Sequence, residues 1–146
     1  MTVDAAARAY ARYFDALTPA TTGDLRRLAA AELRFRDPFN DIQGVERVIA
    51  LFDHMFRTTR NPRFATGAIA TTGRTAFVRW RFTGSVPGRL APLSLAIEGV
   101  SEVRFDAAAM AVEHVDHWDA AGQLYEQLPL LGGLLRRLRR HLACST

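Results

Sequence analysis

A chain of 146 residues, 49% hydrophobic and 23% charged, has the length and composition of one globular domain spanning residues 1–146, large enough to bury a core that holds a pocket. The formal charge of +4 rests on 19 arginines without a lysine, and Arg136, Arg137, Arg139 and Arg140 stand together near the C-terminus, so the remaining chain is close to neutral. No apolar run approaches the roughly 18 residues of a spanning helix, no aromatic residues interleave with the C-terminal arginines as nucleic-acid binding needs, and Met1 to Ala5 lack a signal pattern. A cytoplasmic protein that binds no nucleic acid is expected, and the single Cys144 agrees with a reducing compartment.

Residues 5 to about 17 predict a helix, because Tyr10, Tyr13, Phe14 and Leu17 recur at helical spacing among alanines. Asp24 reads as the N-cap of a short second helix with Leu25, Leu28 and Ala29 on its inner side. Leu33 to Arg36 alternates as a strand and stops at Asp37-Pro38. After Gly44, the spacing of Val45, Val48, Ile49, Phe52, Met55 and Phe56 predicts an amphipathic helix. Beyond Asn61-Pro62 come strands at about 63 to 70, 74 to 83 and 93 to 105, with a loop from Gly84 to Pro92. Ser101 is the polar exception on the inward face of the third of these. A last strand, a helical stretch to Pro129 and a final helix from about Leu130 complete an α+β order, in which helices pack on one face of a sheet.

The last strand, Val112 to Asp119, holds two histidines and two aspartates. Alternation places His114, Asp116 and Trp118 on one face and Glu113, Val115, His117 and Asp119 on the other. Val112 and Trp118 mark the first set as inward, which carries an imidazole and a carboxylate into an apolar interior at a cost unless they are paired. The pair reads either as an acid–base dyad or as a satisfied buried couple that fixes strand register. His114 and His117 point to opposite faces, so no metal site is expected there. Asp37, at the strand end before Pro38, reads as the cap of the Pro38 to Asp41 turn.

Several stretches together resemble the SnoaL-like and ketosteroid-isomerase-like branch of the NTF2-like superfamily. They are Arg12-Tyr13-Phe14-Asp15-Ala16-Leu17 with Gly23-Asp24-Leu25, then Phe35-Arg36-Asp37-Pro38-Phe39, then Ile97 to Asp106, and finally His114 to Asp119 followed by Ala121-Gly122-Gln123-Leu124. The resemblance implies a cone: a curved antiparallel sheet wrapped around N-terminal helices, here with an extra C-terminal helix. Its ketosteroid isomerases give Tyr13 the part of oxyanion donor, Asp37 that of general base, and Ser101 the place of a second donor. Its limonene-epoxide-hydrolase-like members match Asp116 to a catalytic aspartate, while Val78 and Trp80 stand where their arginine and second aspartate belong. Its polyketide cyclases match Asp119 to an acid.

The expectation is a small enzyme of isomerase or cyclase type, working without metal or organic cofactor on an apolar carbonyl or epoxide metabolite. Asp37 or Asp116 is the expected base, His114 its partner, Tyr13 and Ser101 hydrogen-bond donors and Asp119 a further candidate. Trp80, Trp118, Phe56, Phe35 and Met55 are expected to bind substrate. The alternatives are a non-catalytic ligand-binding or assembly module on the same fold, and an epoxide hydrolase. A homodimer is expected, and the leucines and arginines of Leu130 to Leu142 fit packing on their own domain, on a twin subunit, or weakly on an acidic membrane surface.

Overall fold

The Thr2 hydroxyl accepts a hydrogen bond from the Ala5 N–H and so starts α1 (Val3–Asp15), whose inner face is Ala6, Ala7, Tyr10, Ala11 and Tyr13. The computed structural model describes residues 1–89 and 92–144. The second helix expected after Asp24 is instead a 3₁₀ turn, Thr22–Arg27, preceded by Thr21, whose side chain makes no capping bond. Leu25 is buried as its spacing requires, but Ala29 already belongs to β1 (Ala29–Arg36), because pairing with Ala111 draws it into the sheet. A three-residue strand, β2 (Asp41–Gln43), folds back on β1. Gly44, at φ 104°, then turns the chain into α2 (Val45–Thr58), a conformation that favours glycine. Val45, Val48, Ile49 and Phe52 form its buried stripe.

The remaining strands follow as an antiparallel meander: β3 (Arg60–Thr72), β4 (Thr75–Val86), β5 (Leu93–Phe105) and β6 (Ala111–His117). β3 begins earlier than expected, taking in Asn61 and Pro62 across a register shift, and β4 runs past Gly84. Part of the loop expected before Pro92, at 90–91, lies outside the described residues. The sheet is curved and unclosed, in the order β2-β1-β6-β5-β4-β3. One pairing departs from the antiparallel expectation: β1 runs parallel to β6, which makes the sheet mixed. The chain reaches that position only after the whole meander, and it returns in the direction of β1.

Two apolar clusters follow from this layout. One lies under α1 and α2 and includes Tyr10, Leu33, Phe35, Phe52, Val103 and Phe105. The other, further along the meander, is built from Trp80, Phe82, Leu95 and Ile97 with Met55, Phe64 and Trp118 against it. After β6 come a short α3 (Ala120–Gln123), a 3₁₀ turn (Tyr125–Gln127) and α4 (Leu131–Leu142). Among the described residues no helix is long and apolar enough to cross a membrane.

The two tyrosines of α1 give the fold a measurable pH signature. Burial, then the charge of Asp116, hold the Tyr10 hydroxyl protonated well above the usual tyrosine range. Burial, then Asp24 and Asp53, raise Tyr13 likewise. Both phenols keep their protons in folded and unfolded chains below about pH 10, so this stability is fully present there. Above it the unfolded chain releases protons that the folded chain retains. Stability therefore falls with rising pH by about 1.4 kcal/mol per unit for each tyrosine. With no lysine in the sequence, few other groups titrate in that window. Urea unfolding followed from about pH 9 to 11 should show a decline above pH 10 that Tyr10→Phe roughly halves; equal slopes in the two proteins would contradict this account.

Candidate active site

A cavity of about 340 Å³ opens between the sheet and α1 and α2. Its walls are largely apolar and aromatic, among them Phe14, Phe52, Phe64, Phe82 and Ile97, supplied by inward positions of both helices and of β3, β4 and β5. In this wall stands a chain of polar side chains, each brought there by strand register. Ser101 of β5 pairs directly with Asp116 of β6, and Val103 with His114. Directly opposed residues of an antiparallel pair stand close on one face. The Ser101 hydroxyl accordingly donates to Asp116 Oδ1 at 2.5 Å. Trp80 of β4 lies diagonally across from Ser101, opposite Gly99, and its indole N–H donates to Ser101 Oγ at 2.8 Å. A side chain at Gly99 would stand 2.6 Å from the Trp80 ring, so glycine lets the indole lie across β5 and reach the serine.

The imidazole completes the chain. His114 Nε2 lies 2.8 Å from Asp116 Oδ1, and Nδ1 lies 2.9 Å from the Tyr10 hydroxyl. Because burial keeps the proton on Tyr10, the phenol donates to Nδ1, and in the neutral ring the remaining N–H at Nε2 points at the carboxylate. Every donor in the series therefore leads toward Asp116: Tyr10 to His114, His114 to Asp116, Trp80 to Ser101, Ser101 to Asp116. The His114 ring is enclosed, with Phe35 at 4.7 Å and Phe14 at 5.6 Å between ring centres. Asp116 Oδ2 has no protein partner, yet among the described residues the only buried side-chain polar atom without one is Arg36 Nε. Oδ2 is therefore accessible, on a residue that lines the cavity.

The structure thus assembles His114, Asp116 and Ser101, and places Trp80, Trp118, Phe35 and Met55 on the same cavity. It separates the other candidates from them. The Tyr13 hydroxyl donates to the Thr22 carbonyl at 2.8 Å and does not line the cavity, since its position on α1 faces the 3₁₀ turn. Asp37 reaches the cavity rim, but its Oδ1 accepts from the N–H groups of Phe39 and Asn40, both at 2.7 Å, and the Asn40 amide spans both oxygens. It serves the turn after β1. Asp119 is exposed and caps α3, accepting from the Gly122 N–H at 2.9 Å. Phe56 is half-buried and lies off the cavity, because the side of α2 that meets it carries Phe52 and Met55.

Tyr10 is the site residue that sequence reasoning passed over. Its only sequence signal was membership of the same inward stripe as Tyr13, one turn earlier. His117 pairs at 3.2 Å with Glu102 on the outer face, away from His114. Among the described residues no group of three or more His, Cys, Asp or Glu is arranged to hold a metal ion.

Known structures share this architecture. A protein of ketosteroid-isomerase-like fold from Catenulispora acidiphila DSM 44928 superposes with a TM-score of 0.67 at 15% identity, covering 84% of this chain and 90% of that one. A candidate SnoaL-like polyketide cyclase from Jannaschia sp. CCS1 gives 0.67 at 17% identity, covering 80% and 87%. An LEH-like epoxide hydrolase of M. tuberculosis gives 0.65 at 15% identity, covering 94% and 96%. At these identities the likeness shows the fold. No curated protein matches the sequence. The sequence pattern of the SnoaL-like domain, however, matches residues 10–122, a span that holds Tyr10, Trp80, Ser101, His114 and Asp116 together with the sheet that aligns them, and the chain belongs to that family.

Proposed function

We propose that the protein is an enzyme of isomerase or cyclase type that uses Asp116 to move a proton on an apolar carbonyl compound. The observation that carries this reading is the asymmetry of the Asp116 carboxylate: Oδ1 is held by His114 and Ser101, and Oδ2 is unpartnered and accessible, on a residue that lines the apolar cavity. A carboxylate fixed through one oxygen presents the lone pair of the other in a defined direction, which is what a general base needs. In the proposed step Oδ2 takes a proton from a carbon next to the carbonyl. The C–H electron pair moves into the enolate, and a new O–H bond forms on Asp116. Return of that proton to another carbon isomerises the substrate. Attack of the enolate carbon on a second carbonyl closes a ring, and the proton passes to the new alkoxide.

The lining also narrows the substrate. Ketosteroid isomerases hold the enolate oxygen with a tyrosine and a protonated acid. Here Tyr13 is turned away, Ser101 donates to Asp116, and the Tyr10 hydroxyl and Trp80 N–H are both committed within the network. Among the described residues no equivalent donor pair is assembled beside Asp116. A substrate that spreads its own negative charge, such as a 1,3-dicarbonyl or a conjugated polyketone, suits that arrangement better than a simple ketone. Epoxide hydrolysis calls for a second acid near Asp116, and Val78 and Trp80 occupy the facing positions on β4 while the Asp37 carboxylate is engaged by its own turn.

Asp116→Asn should lower turnover of enolisable 1,3-dicarbonyl substrates by about a hundredfold or more, while thermal shifts produced by cavity ligands remain. Turnover equal to wild type would remove the base from the scheme and favour a binding module. Gly99→Val tests the supporting network: the added methyls displace the Trp80 ring and meet the His117 carbonyl. It should cost about 1–3 kcal/mol in stability through overpacking, lower kcat, and quench or shift the Trp80 emission. Unaltered emission with normal kcat would show that the Trp80–Ser101 bond does not position Asp116.

A further inference from the structure

α4 is docked with its polar side inward. Leu131, Leu134, Leu135, Leu138 and Leu142 recur at three and four residues and share one side of the helix. An amphipathic helix of a globular protein ordinarily turns such a stripe to the core. Here the contact face is instead Gly132, Arg136 and Arg139. Gly132 is buried against the Glu126 carbonyl, the Arg136 guanidinium donates to that same carbonyl, and Arg139 donates to the Glu126 carboxylate at 2.8 Å. Apart from the half-buried Leu135, the leucines face outward: Leu134 is 65% exposed, Leu138 52% and Leu142 75%. Leu130, just ahead of the helix, is 93% exposed.

The charge around this stripe selects what covers it. From Gln127 to the end of the chain there are four arginines, one histidine and no acidic residue. Arg137 and Arg140 make no ion pair among the described residues and stand beside Leu134 and Leu138, with His141, around one surface groove. Two copies meeting through this helix would set arginines against arginines with no carboxylate on the helix to match them, an arrangement that like charge disfavours. A bilayer of anionic phospholipid offers acyl chains to the leucines and phosphates to the arginines at once.

We propose that the leucine side of α4 seats the protein on an anionic phospholipid surface. The turn that carries α4 also adjoins the cavity rim: Tyr125 packs on Phe39 at 6.2 Å, and Phe39 packs on Trp118 at 5.5 Å, both of the latter lining the cavity. If the cavity takes an apolar substrate, as the proposed function holds, seating α4 brings its rim toward the phase in which such a molecule dissolves.

Co-sedimentation of the full-length protein with vesicles tests this directly. The protein should pellet with vesicles of phosphatidylglycerol and phosphatidylcholine, release as salt rises, and stay in solution with phosphatidylcholine alone. Leu134→Glu with Leu138→Glu should reduce pelleting at least tenfold, and Arg137→Gln with Arg140→Gln should reduce it at low salt, each with unchanged circular dichroism. Asp116→Asn should pellet as wild type does, which separates this proposal from the catalytic one. Wild-type protein that stays in solution with every vesicle, or pelleting untouched by the leucine substitutions, overturns it. A wild-type dimer that the leucine substitutions dissociate, without vesicle binding, overturns it in favour of a second copy.

Discussion

A carboxylate in the wall of an apolar cavity persists only if directed donors replace the water it has lost, and in this protein the donors come from four separate elements. Hydrogen bonds to a charged group contribute about 1.5–3 kcal/mol each, while stripping one partner from a buried polar group costs about 1–3 kcal/mol. Asp116 receives Ser101 from β5 and His114 from its own strand, and these are held in turn by Trp80 from β4 and Tyr10 from α1. The rest of the architecture can be understood as what keeps those elements in register. The parallel pairing of β1 with β6 sets Phe35 directly beside His114, so that an aromatic ring, and not solvent, covers the imidazole.

The mixed sheet also shows where sequence patterns stop carrying information. Period-two alternation in β4 and β5 and the three-four spacing in α2 were legible, because each depends only on which side of one element meets the core. Which strand lies beside β6 is a tertiary property, and no alternation within Leu33 to Arg36 distinguishes a parallel neighbour from an antiparallel one. The phase of β6 is instructive. Sequence reasoning took Val112 as an inward residue, but the register shift between Arg104 and Phe105 puts Ala111 opposite Phe105 and leaves Val112 as the extra residue. Ala111 and His114 are then both buried although three residues apart, a spacing that strict alternation forbids. His114 was assigned inward through Val112 and Trp118 together; the Val112 half of that argument fails at the bulge, and only Trp118, on the His114 side of it, carries the assignment.

The same limit explains the tyrosines. Tyr10 and Tyr13 share the inward stripe of α1, and helical periodicity gives both the same status. Only the tertiary arrangement decides that Tyr10 meets the imidazole of β6 while Tyr13 meets the Thr22 carbonyl. Asp37 is the opposite case. Its turn was legible from Asp37-Pro38-Phe39-Asn40 alone, because an Asx side chain bonds to backbone two and three residues on, and the geometry gives the carboxylate that duty. Similarity had nominated Asp37, Asp116 and Asp119 from three relatives, and place and duty separate them: Asp37 and Asp119 cap local backbone, Asp119 away from the cavity, while Asp116 stands in the cavity wall bonded to His114 and Ser101.

α2 and α4 carry nearly the same kind of leucine-rich or aliphatic stripe, yet one is buried and the other is not. The difference lies in what remains to be covered when each is added to the fold. α2 meets β1 and the inner face of the sheet, which α1 also shares. α4 follows Pro129, after the last strand, when that face is already taken by the two earlier helices. Its contact with the domain is made by Gly132, Arg136 and Arg139 on Glu126, and the leucine stripe is left outward. At roughly 25 cal/mol per Å² of apolar surface, an outward stripe of leucines is a standing free-energy gradient toward any apolar phase, and the proposed anionic lipid surface is the one whose charge the neighbouring arginines would complement.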